Sequence, residues 1–202
     1  MSTILKQIAD HHLLRGLFCQ KIGLWEGKAG MSLFFFLLSR HTGNRWYEEF
    51  AGELLDDVCS SLSLHCPITF ADGFCGIGWA VEYLKKEGFI EGDTDEILEE
   101  VDRQVMERDV RRIKDASLET GLAGIAAYVR SRLDSERKVT DYQPFDTEYL
   151  EELDRTCRKN GVEWMSEDYH ISTLWQTILP LLPATDTLSW QKGLLIINKN
   201  HG

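Results

Sequence analysis

Three octets decide how this chain folds: Leu24-Trp25-Glu26-Gly27-Lys28-Ala29-Gly30-Met31, Phe70-Ala71-Asp72-Gly73-Phe74-Cys75-Gly76-Ile77 and Leu118-Glu119-Thr120-Gly121-Leu122-Ala123-Gly124-Ile125. Each reads as an apolar residue, two variable positions, Gly, any residue, a small residue, Gly, then Met or Ile. The leading glycines Gly27, Gly73 and Gly121 stand 46 and 48 residues apart. A fixed period of this length marks stacked two-helix units.

An apolar helical stretch follows every octet. Leu33 to Leu38 is greasy on all faces, and so nearly are Ile77, Trp79, Ala80, Val81, Tyr83 and Leu84; such a helix is enclosed on all faces. The intervening helices are one-sided. One carries Trp46, Phe50, Leu54, Leu55, Val58 and Leu62 on a stripe with acids off it, and another carries Ile97, Leu98, Val101, Val105 and Met106. The pattern therefore predicts inner, enclosed helices alternating with outer, half-wet ones. Thr42-Gly43-Asn44 and Glu87-Gly88 supply the turns between them, and Asp93-Thr94-Asp95 caps an outer helix. The glycine pairs Gly27 and Gly30, Gly73 and Gly76, Gly121 and Gly124 would let a neighbouring backbone approach the first inner turn, at about 1 kcal/mol each in helix propensity. Asp72 and Thr120 are expected to cap the inner helices, with Glu26 a poorer cap.

After the third octet the pattern fades. Phe145, Tyr149, Leu150, Leu153 and Cys157 form another outer-type helix ended by Gly161. His170, Ile171, Leu174, Trp175, Ile178 and Leu179 form a fourth inner-type helix without glycines, which Pro180 and Pro183 break; Trp190 to Ile197 forms a capping C-terminal helix. The expectation is one all-α domain over residues 1–202, with hairpin repeats over about 1–135 and a divergent helical cap over about 140–202.

A formal net charge of −11 argues against nucleic acid and anionic membranes as partners. The basic group Arg108, Arg111, Arg112 and Lys114 lies among acids and reads as a solvated helix end. The longest apolar run, Met31 to Leu38, is too short to span a bilayer, and the first ten residues lack a signal-peptide pattern. Five cysteines without framework spacing fit reduced thiols and a cytoplasmic location.

The octets with their flanks, residues 23–44 (GLWEGKAGMSLFFFLLSRHTGN) and 70–84 (FADGFCGIGWAVEYL), resemble the lanthionine synthetase C-like family over roughly residues 1–135. The resemblance implies an α/α toroid of inner and outer helices, of which this chain would make about half, leaving a ring for a second copy to complete. It also implies how active relatives work. Zinc is held by a Cys two positions before one motif glycine and by a Cys-His pair before another, and it presents a thiolate to a dehydrated Ser or Thr. Here those positions are Trp25-Glu26, Ala71-Asp72 and Glu119-Thr120, without Cys or His. Zinc needs about four such ligands, or three and a water, so no metal or other cofactor is expected. Cys75 is read as a small core residue. Cys59, His65 and Cys66 are the other metal candidates, with His65 and Cys66 diverging on a helix.

The leading expectation is a family member without zinc-dependent cyclase activity, working as a peptide-binding or accessory component of peptide modification beside a peptide or a protein of that system. An alternative is an enzyme acting on a sugar or peptide, with Glu26 and Asp72 as a carboxylate pair and His170 as a further catalytic candidate; against it stands helix capping and dipole complementation. Trp25, Phe74 and Trp79 would line a groove near the same rim, or be core aromatics. A third reading is a structural partner that completes its ring as a homodimer. Phosphate-binding, dinucleotide and nucleophile-elbow motifs are absent from the sequence.

Overall fold

The computed structural model describes residues 2–62, 66–136, 143–184 and 186–199. Among these the chain is helical, with α1 (Thr3–Arg15), α2 (Lys28–Thr42), α3 (Arg45–Ser61), α4 (Phe74–Lys86), α5 (Thr94–Met106), α6 (Leu122–Leu133), α7 (Thr147–Lys159), α8 (Ile171–Leu181) and α9 (Trp190–Lys199), and no strand among the described residues. An all-α fold of glycine-started hairpins is thus what the repeats build. The contacts divide the chain into two compact units, residues 1–63 with 176–202 and residues 64–175.

In the first unit α2 is the enclosed helix. Met31, Leu33, Phe34, Phe35, Phe36 and Leu38 are all buried, each such side chain contributing about 1.5–3 kcal/mol of hydrophobic stabilisation. α3 lies against it through Tyr47, Ala51, Leu54, Leu55 and Val58, and the Ser32 hydroxyl donates to the Ala51 carbonyl at 2.8 Å. Trp46, expected on the apolar stripe of α3, is 76% exposed: it stands in the first helical turn, before the buried face begins. Between α2 and α3 the chain reverses at Gly43, whose φ of 70° lies in the left-handed region, with its N–H on the Ser39 carbonyl at 2.7 Å.

Remote in sequence, α9 packs on α1 and α2. The fit is reciprocal. A methyl on Gly30 would fall 2.2 Å from the Trp190 ring, and one on Gly193 would fall 2.4 Å from the Phe34 ring. Each helix gives up a side chain where the other inserts an aromatic. The C-terminal helix expected as a cap is therefore built into the flank of the first hairpin.

In the second unit α4 and α6 are the enclosed neighbours and α5 and α7 the amphipathic ones. Tyr128 of α6 lies over Gly78 of α4, where a methyl would meet the ring at 2.3 Å. Trp79 stacks on Tyr83 (centroids 5.3 Å apart) and on Trp175 (6.0 Å). From α5, Leu98, Val101 and Val105 are buried, whereas Ile97 is 43% exposed. Pro180 does not end α8; it sits in its last turn and the helix closes at Leu181.

Candidate functional site

The three octets build one turn three times over. The residue after the leading glycine donates its N–H to the carbonyl seven positions back: Lys28 to Lys21 at 2.9 Å, Phe74 to Pro67 at 2.8 Å, Leu122 to Asp115 at 2.9 Å. This closes a loop directly onto the start of each inner helix. The leading glycines have extended backbone, with φ between −131° and −114°, which any residue adopts. Glycine is required for room instead. A methyl on Gly73 would lie 1.9 Å from the Pro67 carbonyl oxygen, and one on Gly121 would lie 2.3 Å from that of Asp115. The second glycine is crowded in the same way, Gly30 by the Leu24 oxygen at 2.0 Å and Gly124 by the Leu118 oxygen at 2.3 Å. The backbone that approaches is thus the helix's own preceding loop.

This closure corrects the expected caps. The N-cap residues are Gly27, Gly73 and Gly121 themselves, and they cap without a side chain. Asp72 and Thr120, one residue too early, are exposed. Thr120 donates its hydroxyl to Asp115 at 2.6 Å, and Asp115 also accepts the Ser117 N–H at 2.9 Å. These bonds hold the Asp115 carboxyl below its ordinary range, the Thr120 hydroxyl first among them.

Glu26 and Asp72 fall in different units. Glu26 is exposed and ion-paired with Lys21, at the edge of a cleft of about 370 Å³ whose other walls include His11, His12, Met31 and Trp190. Asp72 is exposed beside Gly73 and adds to the burial that pushes the Cys66 thiol up. A second cleft, about 470 Å³ within the second unit, is bounded by Cys66, Thr69, Arg108, Thr120 and Ile125. Trp25, Phe74 and Trp79 are buried, at 8%, 1% and 0% exposure. The Trp25 carbonyl accepts from the Gln191 amide at 2.9 Å, and Trp79 belongs to the aromatic stack described above. His170 directly precedes α8, its carbonyl accepting the Thr173 and Leu174 N–H groups at 2.9 and 2.8 Å; its Nε2 lies 3.3 Å from the Lys86 ammonium.

At the second motif turn the Cys66 and Cys75 thiols are near enough to influence one another, but they do not make a ligand set. Among the described residues, no three His, Cys, Asp or Glu side chains are placed to share a metal ion; His65 lies outside the described residues. Burial raises the thiol pKa of Cys59, Cys66 and Cys75 and pushes that of Cys157 up to about 12. The motif positions and the other described residues therefore do not assemble a zinc site of thiolate and imidazole character.

Opposite chemistry occupies the far ends of the second unit's inner helices, and nothing in the periodicity announces it. Arg132 on α6 is 0% exposed. It donates to Glu82 of α4 at 2.6 Å, to Asp95 of α5 at 2.8 Å, and to Asp102 of α5 from both Nε and Nη2, at 3.1 and 2.7 Å. Tyr128 donates to Asp102, and Ser135 to Glu82 at 2.7 Å. Burial pushes the Asp102 carboxyl up, against the pull of Arg132 and Tyr128. With guanidinium N–H groups on both its oxygens, the ionised form is the one this geometry fits. Burial also works against the charge of Arg132, but the Asp102 and Glu82 carboxylates overcome it and raise its pKa. The one signal in the sequence is Glu82, a single acid within the apolar run of α4 that precedes Lys85 and Lys86.

No described helix is long and apolar enough to cross a membrane. Compared with known families, residues 20–175 match a family model described as lanthionine synthetase C-like protein. Comparison with curated proteins and with solved structures gives no match.

Proposed function

The chain belongs to the lanthionine synthetase C-like family, and from that premise we propose that it serves peptide modification as a peptide-binding or accessory component, without the family's zinc-dependent ring closure. One observation carries the reading. The motif turns are built in full, while the positions that the resemblance assigns to zinc ligands hold Trp25-Glu26, Ala71-Asp72 and Glu119-Thr120. Carboxylate, hydroxyl and indole groups there supply neither the soft ligand set that zinc favours nor a thiolate for it to activate.

The family's scaffold is thus kept with its chemistry removed, which suits a protein that holds or presents a peptide. Clefts of about 370 and 470 Å³ are of the size that takes a few residues of an extended chain. The test is direct. Purified protein is incubated with zinc and a peptide carrying a dehydrated Ser and a Cys, and thioether formation is followed by mass spectrometry alongside binding of the same peptide. Binding without thioether is the expected result; ring closure at an enzymatic rate would overturn the proposal.

A further inference from the structure

The cleft of the first unit is made largely by the ends of the chain. His11, His12 and Arg15 precede the family-matched stretch 20–175, and Asp186, Ser189 and Trp190 follow it. Its walls are fixed. Trp190 is locked on Gly30, and His12 Nε2 lies 2.9 Å from the Leu188 carbonyl. A carbonyl only accepts, so Nε2 carries the proton and Nδ1 of the neutral ring is left as an acceptor. Burial lowers the pKa of the ring below its ordinary value, against the opposing pull of the Leu188 carbonyl and Asp186.

The charges around the cleft are unequally committed. Glu26 is paired with Lys21, and Asp186 accepts the Leu188 N–H at 2.7 Å. Arg15 is exposed in the last turn of α1, where the helix dipole favours a cation, and it makes no hydrogen bond or ion pair among the described residues. An uncommitted guanidinium in a chain of net charge −11 is a local reversal of sign. Beside it the cleft offers an imidazole acceptor and an apolar lining from Met31 and Trp190.

We propose that this cleft binds the carboxylate end of a short peptide: the carboxylate on Arg15, the terminal amide N–H matched to the free acceptor of His12, and the last side chain against Met31 and Trp190. A planar fork of donors suits a carboxylate, and capture of a chain terminus is an established recognition mode. A volume of about 370 Å³ accommodates about two residues. Of the other charged groups in the lining, Lys21 and Glu26 are paired and Asp186 holds the Leu188 N–H, so the single uncommitted guanidinium suits a singly charged carboxylate better than a dianion such as phosphate. The inference stands on the cleft alone and does not depend on the zinc-free reading above.

The experiment uses the full chain and isothermal titration with glycyl-phenylalanine, its C-terminal amide, and inorganic phosphate. The free acid is expected to bind about tenfold more tightly than the amide, the difference expected of a charge-assisted bidentate contact. Arg15→Ala should remove that difference and leave amide binding as it was; the side chain is exposed, so the fold does not rest on it. Phosphate should bind more weakly than the acid. Equal affinity of acid and amide, an unchanged preference in Arg15→Ala, phosphate binding as tight as the dipeptide's, or no binding of the acid at millimolar concentration would each overturn the proposal.

Discussion

At the start of α4 and α6 the chain is held by main-chain bonds, Phe74 to Pro67 and Leu122 to Asp115, and by the absence of any side chain on Gly73 and Gly121. Toward the far ends of the same two helices side chains tie them together, one buried guanidinium gathering carboxylates from α4 and α5. The first device is local, spanning seven residues, and it repeats wherever the octet repeats. The second is long-range, with Arg132 reaching 50 residues back to Glu82 and 30 back to Asp102. Backbone crowding thus sets the register of each inner helix, and the ion cluster ties these helices to one outer helix. The first can be copied by duplication, whereas the second has to be assembled from residues that have no meaning separately.

Removing Arg132 should break that comparison most sharply. Arg132→Ala leaves Glu82 and Asp102 buried without their cation and is expected to cost about 3–5 kcal/mol, read from urea unfolding. A cost below about 1 kcal/mol would mean that the cluster is incidental to the packing of α4, α5 and α6. Gly73→Ala comes next. Its methyl would fall 1.9 Å from the Pro67 oxygen, and a backbone atom cannot rotate away, so a loss of about 1–3 kcal/mol or more is expected in the same assay. The smallest effect has the opposite sign. Gly52 lies inside α3, and a methyl added there would meet nothing within 4 Å, so Gly52→Ala should stabilise by about 0.5–1 kcal/mol. If Gly73→Ala and Gly52→Ala changed the midpoint alike, the close approach at the motif turn would not be what demands glycine there.

What can be read from the sequence follows from this contrast. The inner helices, their glycine starts, the outer helices and the turn at Gly43 are legible because each rests on residues adjacent in the chain. The caps are misplaced by one position, since Asp72 and Thr120 look like ordinary N-caps while the closure uses main-chain groups that every sequence has. Arg132 is not legible, because an arginine in the last turn of a helix ordinarily faces water and favours the dipole. The docking of Trp190 on Gly30 joins positions far apart in the chain, and no periodicity links them. The motif aromatics Trp25, Phe74 and Trp79 read from sequence as core aromatics before they read as a groove, and their burial follows from enclosure of the helices and turns that carry them. The first-unit cleft is hidden for the same reason as the Trp190 contact, since its walls come from both ends of the chain.

The claim on which the functional account rests is that the motif turns are intact while their ligand positions are unable to hold zinc, and metal analysis tests it most directly. Protein purified without chelator and then dialysed against zinc would be measured by inductively coupled plasma mass spectrometry. Zinc far below one equivalent per chain is the predicted result. Close to one equivalent, retained through gel filtration and lost when Glu26 and Asp72 are replaced by their amides, would contradict it.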